Sequence, residues 1–390
     1  MLVDGIAYFV TATVGNSSTV ETASALSPAP LPSESYRPSG YGSDLDITVE
    51  YLDEPVEIVA PTLDSAAAEC EMVVSPTFIA GFVEWGCISS DARRRLKAQA
   101  GVTISSSSCS CGSTPRPCIF FRGMGSTTEY TTLQTTSDYW GDIEKHAPCC
   151  SSFSYAILNT VDFAWTDADQ QEKVCNFALP VSSSSSKSAR VVADTMVVTH
   201  SMGGLLVAGA LANGACTFAS STTWVSMSPI VGGSMSSDYQ QSACSGSNAL
   251  LGAIATLIGR CPATTASKSF AYEGESYSTV SLDKAYEAAQ EAYRSNVDAA
   301  IRSDNYSGLL STDQLVYKLA GSVIPHKSSE NDGIVEYQSC AGGIATSKFG
   351  TSYQDAFYLT GLNHADTTFR HGDALIVNSQ KPVKWFECLL

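Results

Sequence analysis

A serine followed by a Met-Gly-Gly run is the first constellation in this 390-residue chain with a chemistry of its own. The segment reads Val197-Val198-Thr199-His200-Ser201-Met202-Gly203-Gly204. Thr195–Thr199 has the β-branched content of a buried strand, and Gly203–Asn213 is rich in Ala and Leu at helical spacing, so Ser201 falls on a strand-to-helix turn. A serine hydroxyl is a weak nucleophile until a base takes its proton and donors stabilise the oxyanion that its attack creates. Such a turn lifts the hydroxyl out of the sheet, and the N–H of Met202 at the helix start points at the same spot. The bend wants small residues two before and two after the serine. Gly203 meets this, whereas Thr199 is larger than the usual glycine. Close helix–strand packing is the other reading of a Ser-x-Gly-Gly helix start.

A base for such a serine must be found among five histidines, at positions 146, 200, 326, 364 and 371. His364 stands in Asn363-His364-Ala365-Asp366 and His371 in Phe369-Arg370-His371-Gly372-Asp373. Asn331-Asp332-Gly333-Ile334-Val335 offers a carboxylate in a tight turn, although Asn-Asp-Gly is also a common turn in its own right. Phe121-Arg122-Gly123-Met124-Gly125 is a glycine loop after a short apolar run. It lacks the Gly-Lys-Ser/Thr ending of a phosphate-binding loop, and a plain turn is its bland reading.

In chain order, the glycine loop at 121–125, the serine turn at 199–204, the Asp332 turn at 331–335 and Asn363-His364-Ala365-Asp366 resemble the lipase/esterase branch of the α/β-hydrolases over roughly residues 116–390. The segment Val225-Ser226-Met227-Ser228-Pro229, followed by Gly232-Gly233-Ser234, is similar to the strand and loop that follow the nucleophile turn in lipases. The resemblance implies the α/β-hydrolase fold, the chain order serine, acid, histidine, and acyl transfer to water without a metal or organic cofactor. On that order His146 comes too early, His200 leaves the turn in another direction, and His326 precedes the acid. His364 is then the base, preferred to His371, and Asp332 the acid, with Glu330 and Glu336 in reserve. The resemblance also assigns the oxyanion donors to the backbone N–H groups of Met124 and Met202. Arg122 departs from it, standing where lipases commonly carry histidine. The implied substrates are carboxylic esters or lipids. The same three side chains would also serve a thioesterase, an amidase or an acyltransferase, and some hydrolase-like chains are inactive surface or binding proteins.

Positioning such residues takes alternating strands and helices. Short apolar runs predict strands at Cys118–Phe121, Phe153–Val161, Thr195–Thr199, Thr222–Met227, Gly333–Val335 and Ala356–Leu359. Helix-like spacing covers Tyr139–His146, Asp169–Leu179 and Gly203–Asn213. This alternation predicts an α/β fold with a mostly parallel central sheet and helices on both faces. From about 234 to 321 the rhythm breaks. Two helix candidates there, Asn248–Ile258 and Leu282–Arg302, read as an inserted helical cap, the first of them as a lid, an acyl-binding wall or plain subdomain core.

Composition narrows the partners. With 39 acidic and 22 basic residues the net charge is −17, which argues against nucleic acid and against anionic membranes. No apolar run reaches the roughly 18 residues of a membrane span, which leaves at most transient contact with a lipid interface. Thirteen cysteines without a paired CxxC zinc pattern point to an oxidising compartment, hence a secreted or cell-surface protein, and the odd number leaves at least one sulfur without an intrachain partner. Asn16-Ser17-Ser18 and Asn305-Tyr306-Ser307 are glycosylation sequons compatible with export, whereas Met1–Gly15 carries Asp4 and no basic region and is a poor signal peptide. Residues 1–115 read as a Ser/Pro-rich arm, flexible from 16 to about 66, with a cysteine-containing extension, and residues 116–390 as the hydrolase domain.

Overall fold

The computed structural model describes residues 2–3, 6–7, 9–14, 45–50, 109–246, 252–374 and 377–389. The chain divides into two compact units, one of residues 1–75 and 83–99, the other of 76–82 and 100–390. In the first, β1 (Leu2–Val3) pairs antiparallel with β2 (Ile6–Ala7), and β3 (Phe9–Val14) with β4 (Leu45–Glu50). Strand β4 corrects the reading of 16–66 as an arm throughout. Leu45, Ile47 and Val49 alternate with Asp46, Thr48 and Glu50, a period-two pattern inside a polar composition. The other residues of that stretch lie outside the described ones.

The second unit is built on six parallel strands: β5 (Arg116–Phe121), β6 (Cys150–Ala156), β8 (Met196–His200), β10 (Thr223–Met227), β11 (Val297–Ser303) and β12 (Phe357–Thr360). Their order is β12-β11-β10-β8-β5-β6, and β7 (Val191–Val192) and β9 (Thr217–Phe218) form a separate small parallel pair. Both faces of the sheet are covered. Ile119, Phe121, Val197 and Trp224 face one apolar cluster, while Phe120, Val198, Val225 and Ile301 face another that includes Trp140 and Trp385. Burial on both faces is why β8 reads as a continuous apolar run rather than an alternating one. With the helices described next, this is the layered α/β arrangement of an α/β-hydrolase-like fold.

The helices are α1 (Ala168–Ala178), α2 (Met202–Ala212), α3 (Met235–Cys244), α4 (Gly252–Ile258), α5 (Thr265–Lys268), α6 (Val280–Asn296), α7 (Gln314–Val323), α8 (Tyr337–Ala341) and α9 (Pro382–Glu387). Thr279 caps α6 by accepting the Leu282 N–H. Helix α2 packs against α1 and α6. Every residue of it from Met202 to Ala210 is buried, which suits its lack of any charged side chain.

Several elements differ from the sequence reading. The expected helix Leu282–Arg302 ends at Asn296, and its last part is strand β11, between β10 and β12. Helical spacing runs on unbroken through Val297–Arg302, so only sheet pairing distinguishes the two. It follows that 234–321 is not one cap insertion. Strand β11 divides it into two crossovers, 228–296 and 304–356. Gly333–Val335 is a turn, not a strand, closed by the Asp332 N–H on the Val335 carbonyl. Tyr139–His146 forms two short 3-10 turns, Asp138–Trp140 and Ile143–His146. What caps the sheet's end is a cluster shared by α3, α4 and α7, with Met235, Tyr239, Ile254, Ile258, Ala320 and Ile324 packed together.

Five disulfides brace this unit: Cys109–Cys388, Cys111–Cys149, Cys118–Cys150, Cys175–Cys216 and Cys244–Cys261. The first two tie residues before Arg116 into the same body. Cys340 is a buried free thiol, and Cys70 and Cys87 lie outside the described residues. Asp238 in α3 is buried, and burial raises its carboxyl to about 6, reinforced by Glu275 and Glu336 and opposed by the Tyr272 N–H. A carboxyl that protonates more readily folded than unfolded contributes stability as pH falls through that value and loses it above. Asp238→Asn should therefore raise the melting temperature over wild type at pH 8, with the gain shrinking by pH 5. Thermal melts at the two pH values measure this, and a gain independent of pH would refute it.

Candidate active site

Strand order reverses between β5 and β8, since the chain goes from β5 outward to β6 and then crosses to β8 on β5's other side. At such a switch point the loops leaving adjacent strands part company and open a crevice at the carboxyl ends. The loop after β5 carries Arg122–Met124, and the turn after β8 carries Ser201.

Ser201 has φ 54° and ψ −124°, a conformation that L-residues rarely adopt and that costs roughly 1–3 kcal/mol. Its N–H donates to the Met227 carbonyl at 3.0 Å, which pins the turn to β10. Gly203 lets α2 start directly beneath β5, because a Cβ there would lie 2.3 Å from the Phe121 carbonyl oxygen. The larger Thr199 has an evident accommodation. Its hydroxyl accepts the Trp224 indole N–H at 3.0 Å and sits across from Gly204, which has no side chain to meet it.

The structure brings three of the sequence-predicted residues into one line. Ser201 Oγ lies 2.9 Å from His364 Nε2, and His364 Nδ1 lies 2.6 Å from Asp332 Oδ2. All three are buried, Ser201 at 5% and His364 at 7% exposure. The other oxygen of Asp332 accepts the N–H groups of Ile334 and Val335 at 3.0 and 2.7 Å, and its carbonyl accepts the His364 N–H at 2.9 Å. Burial alone would raise the Asp332 carboxyl. The His364 imidazole, its hydrogen bond and these backbone donors outweigh it and hold the group below its ordinary value. Gly333 has φ 93°, and a Cβ on it would press on the Tyr317 carbonyl, so the turn requires glycine.

The glycine loop closes over the serine, since a Cβ on Gly123 would lie 2.8 Å from Ser201 Cβ. Among the described residues neither the Met124 nor the Met202 N–H is taken by a hydrogen bond. The Gly123 N–H donates to the Tyr139 hydroxyl at 3.2 Å, and that hydroxyl lies 2.6 Å from His200 Nδ1. His200 Nε2 lies 3.0 Å from the His364 carbonyl. A carbonyl can only accept, so Nε2 carries the proton and Nδ1 accepts from Tyr139. Burial, then the nearby His364 and Arg370, holds His200 well below the usual imidazole value, so the ring is neutral. This relay ties the glycine loop to the loop of His364. Its His200 end was visible in the sequence as the residue beside Ser201. Tyr139, 62 positions before Ser201 and in an unremarkable segment, carried no signal.

The other histidines lie elsewhere. His371 Nδ1 bonds Asp366 at 2.7 Å, and His326 Nδ1 bonds Glu336, one of the reserve acids, at 2.5 Å. A cavity of about 270 Å³ opens onto Ser201 and His364, lined also by Arg122, Met124, Tyr139 and Arg370 and by apolar side chains of the cap. Leu257 and Ile258 of α4 are among these, so that helix both packs the cap and walls the cavity. Among the described residues no three His, Cys, Asp or Glu side chains are grouped as a metal would need. No helix among them is long and apolar enough to cross a membrane.

No protein-family model matches the chain, and no curated protein does. Solved structures similar to it include the mature lipase BlEst2 of Bacillus licheniformis, at 14% identity and TM-score 0.45, covering 67% of this chain and 90% of that one. Lipase 1 of Pelosinus fermentans is 12% identical at TM-score 0.39 over 70% and 97% of the two chains. The Staphylococcus hyicus lipase is 12% identical at 0.35 over 71% and 95%. At these identities no residue role transfers from them.

Gly203→Ala should unsettle the serine turn, because the added methyl meets backbone that cannot swing aside. A loss of about 1–3 kcal/mol is expected, read as a melting temperature lower by roughly 3–10 °C. An unchanged melt would mean that α2 can move away from β5.

Proposed function

We propose that the protein is a serine hydrolase of carboxylic esters, of the lipase/esterase kind. The observation that carries this reading is the unbroken chain from Ser201 Oγ through His364 to Asp332, with the serine held on a strained strand-to-helix turn. His364 Nε2 takes the Ser201 proton as the oxygen attacks the ester carbonyl. Asp332 accepts from Nδ1, keeps the ring in the tautomer that leaves Nε2 free, and stabilises the imidazolium that forms. The unused N–H groups of Met124 and Met202 hold the oxyanion. The imidazolium then protonates the leaving alcohol, and water, activated by the same histidine, cleaves the acyl-enzyme. Residues of this chain supply every group the reaction needs.

The apolar part of the cavity lining suits the hydrocarbon part of an ester or lipid. Five disulfides support the reading of a secreted or cell-surface protein.

A fluorophosphonate probe should label the folded protein at Ser201, with labelling lost in Ser201→Ala and strongly reduced in His364→Ala. Folded protein that takes no label would sink the hydrolase reading. Active His364→Ala beside dead His371→Ala would sink the choice of base. Asp332→Asn should lower kcat on 4-nitrophenyl esters by about 10³–10⁴-fold, since the amide favours the wrong tautomer.

Tyr139→Phe removes the hydroxyl that joins Gly123 to His200. A fall in kcat of about tenfold with little change in KM is expected from steady-state kinetics, the mark of lost positioning in the transition state. An equal rise in KM at unchanged kcat would assign Tyr139 to substrate binding instead.

A further inference from the structure

The cavity over Ser201 has a charge pattern that ester hydrolysis does not need. Two guanidinium groups, Arg122 and Arg370, line it, and among the described residues no Asp or Glu side chain does. Both lie against the ring of Tyr139, their Cζ atoms 4.6 and 5.3 Å from its centroid. Arg122 makes no hydrogen bond or ion pair among the described residues, and its Nε is buried without a partner. Arg370 donates from Nε to the Thr368 hydroxyl, and its one ion pair is a loose 3.9 Å approach to Asp313.

This runs against the composition of the molecule, in which acidic residues outnumber basic ones 39 to 22. A surface arginine in such a chain readily finds a carboxylate, as Arg190 and Arg294 do. Arg122 is half-buried while Arg370 is exposed; a like charge beside a partly desolvated guanidinium is costly, and an anion between the two would relieve that cost. The stacking of Arg122 on Tyr139 explains its orientation but leaves its donors unused. The rest of the lining is largely apolar, with Ile230, Leu257, Ile258, Phe270 and Ile334.

We propose that Arg122, with Arg370, forms a subsite for an anionic group, a phosphate or a carboxylate carried by the substrate, while the apolar lining takes its hydrocarbon chain. The proposal deepens the hydrolase reading and rests on it for the role of Ser201. The substrate class would then be an ester bearing a negative charge near the scissile bond.

Binding to the full-length protein, followed by calorimetry, tests this without turnover. Octyl phosphate should bind about tenfold or more tightly than 1-octanol, and decanoate in a parallel titration separates a carboxylate preference from a phosphate one. Arg122→Gln and Arg370→Gln, each checked by thermal melt, should cut the affinity for the preferred anion about five- to tenfold and leave that for octanol in place. An anion preference absent in wild type, or untouched in both variants, overturns the subsite. Because the readout is binding, its failure leaves fluorophosphonate labelling of Ser201 standing, and absent labelling leaves this result standing.

Discussion

The contact between the end of β5 and the first turn of α2 is the constraint on which the site depends. Gly203 lies directly against the Phe121 carbonyl, so the helix can begin immediately after the strand and Ser201 must take up a positive-φ conformation between them. That strain is tolerated because both neighbours are held by packing. Strand β8 is buried on both faces, α2 is buried along nearly its whole length, and the Ser201 N–H is held by β10. The same closeness brings the loop after β5 over the serine, so one packing event sets both the hydroxyl and the glycine loop beside it.

Around this point the polar groups form a directed network. His364 has a carboxylate on one nitrogen and the serine on the other, and its backbone carbonyl is occupied by His200. His200 in turn reaches the glycine loop through Tyr139. Because a carbonyl fixes the tautomer at one end, each hydrogen in the chain has a single place to go. A buried network satisfied in this way is rigid, whereas one left half-satisfied would destabilise the fold. Arg122 is one exception, a cation with donors to spare in a cavity that no carboxylate lines among the described residues.

The cap shows how secondary structure and site are joined. Helices α3, α4 and α7 come from two different crossovers on either side of β11, yet they share one apolar cluster over the sheet's carboxyl edge. Leu257 and Ile258 belong to that cluster and also line the cavity, so the cap's packing fixes the apolar wall of the site. The disulfide Cys244–Cys261 closes the loop between α3 and the end of α4, which limits how far that wall can move.

Local pattern determined much of this protein by itself. The strand, serine and helix around Ser201, the Asp332 turn, and most strands of the sheet are visible because each depends on a few neighbouring residues whose period or turn chemistry is plain in the sequence. Where period is ambiguous, as at Val297–Ser303, or hidden by polar composition, as at Leu45–Glu50, the sequence misleads, because pairing with another strand is a choice made outside the segment. The partners of His200, His326 and His371, the Tyr139 relay and the two arginines in one cavity were decided by tertiary structure alone. They join residues from 5 to 248 positions apart, and no local rule ranks one such meeting above another until the sheet order has brought the loops together.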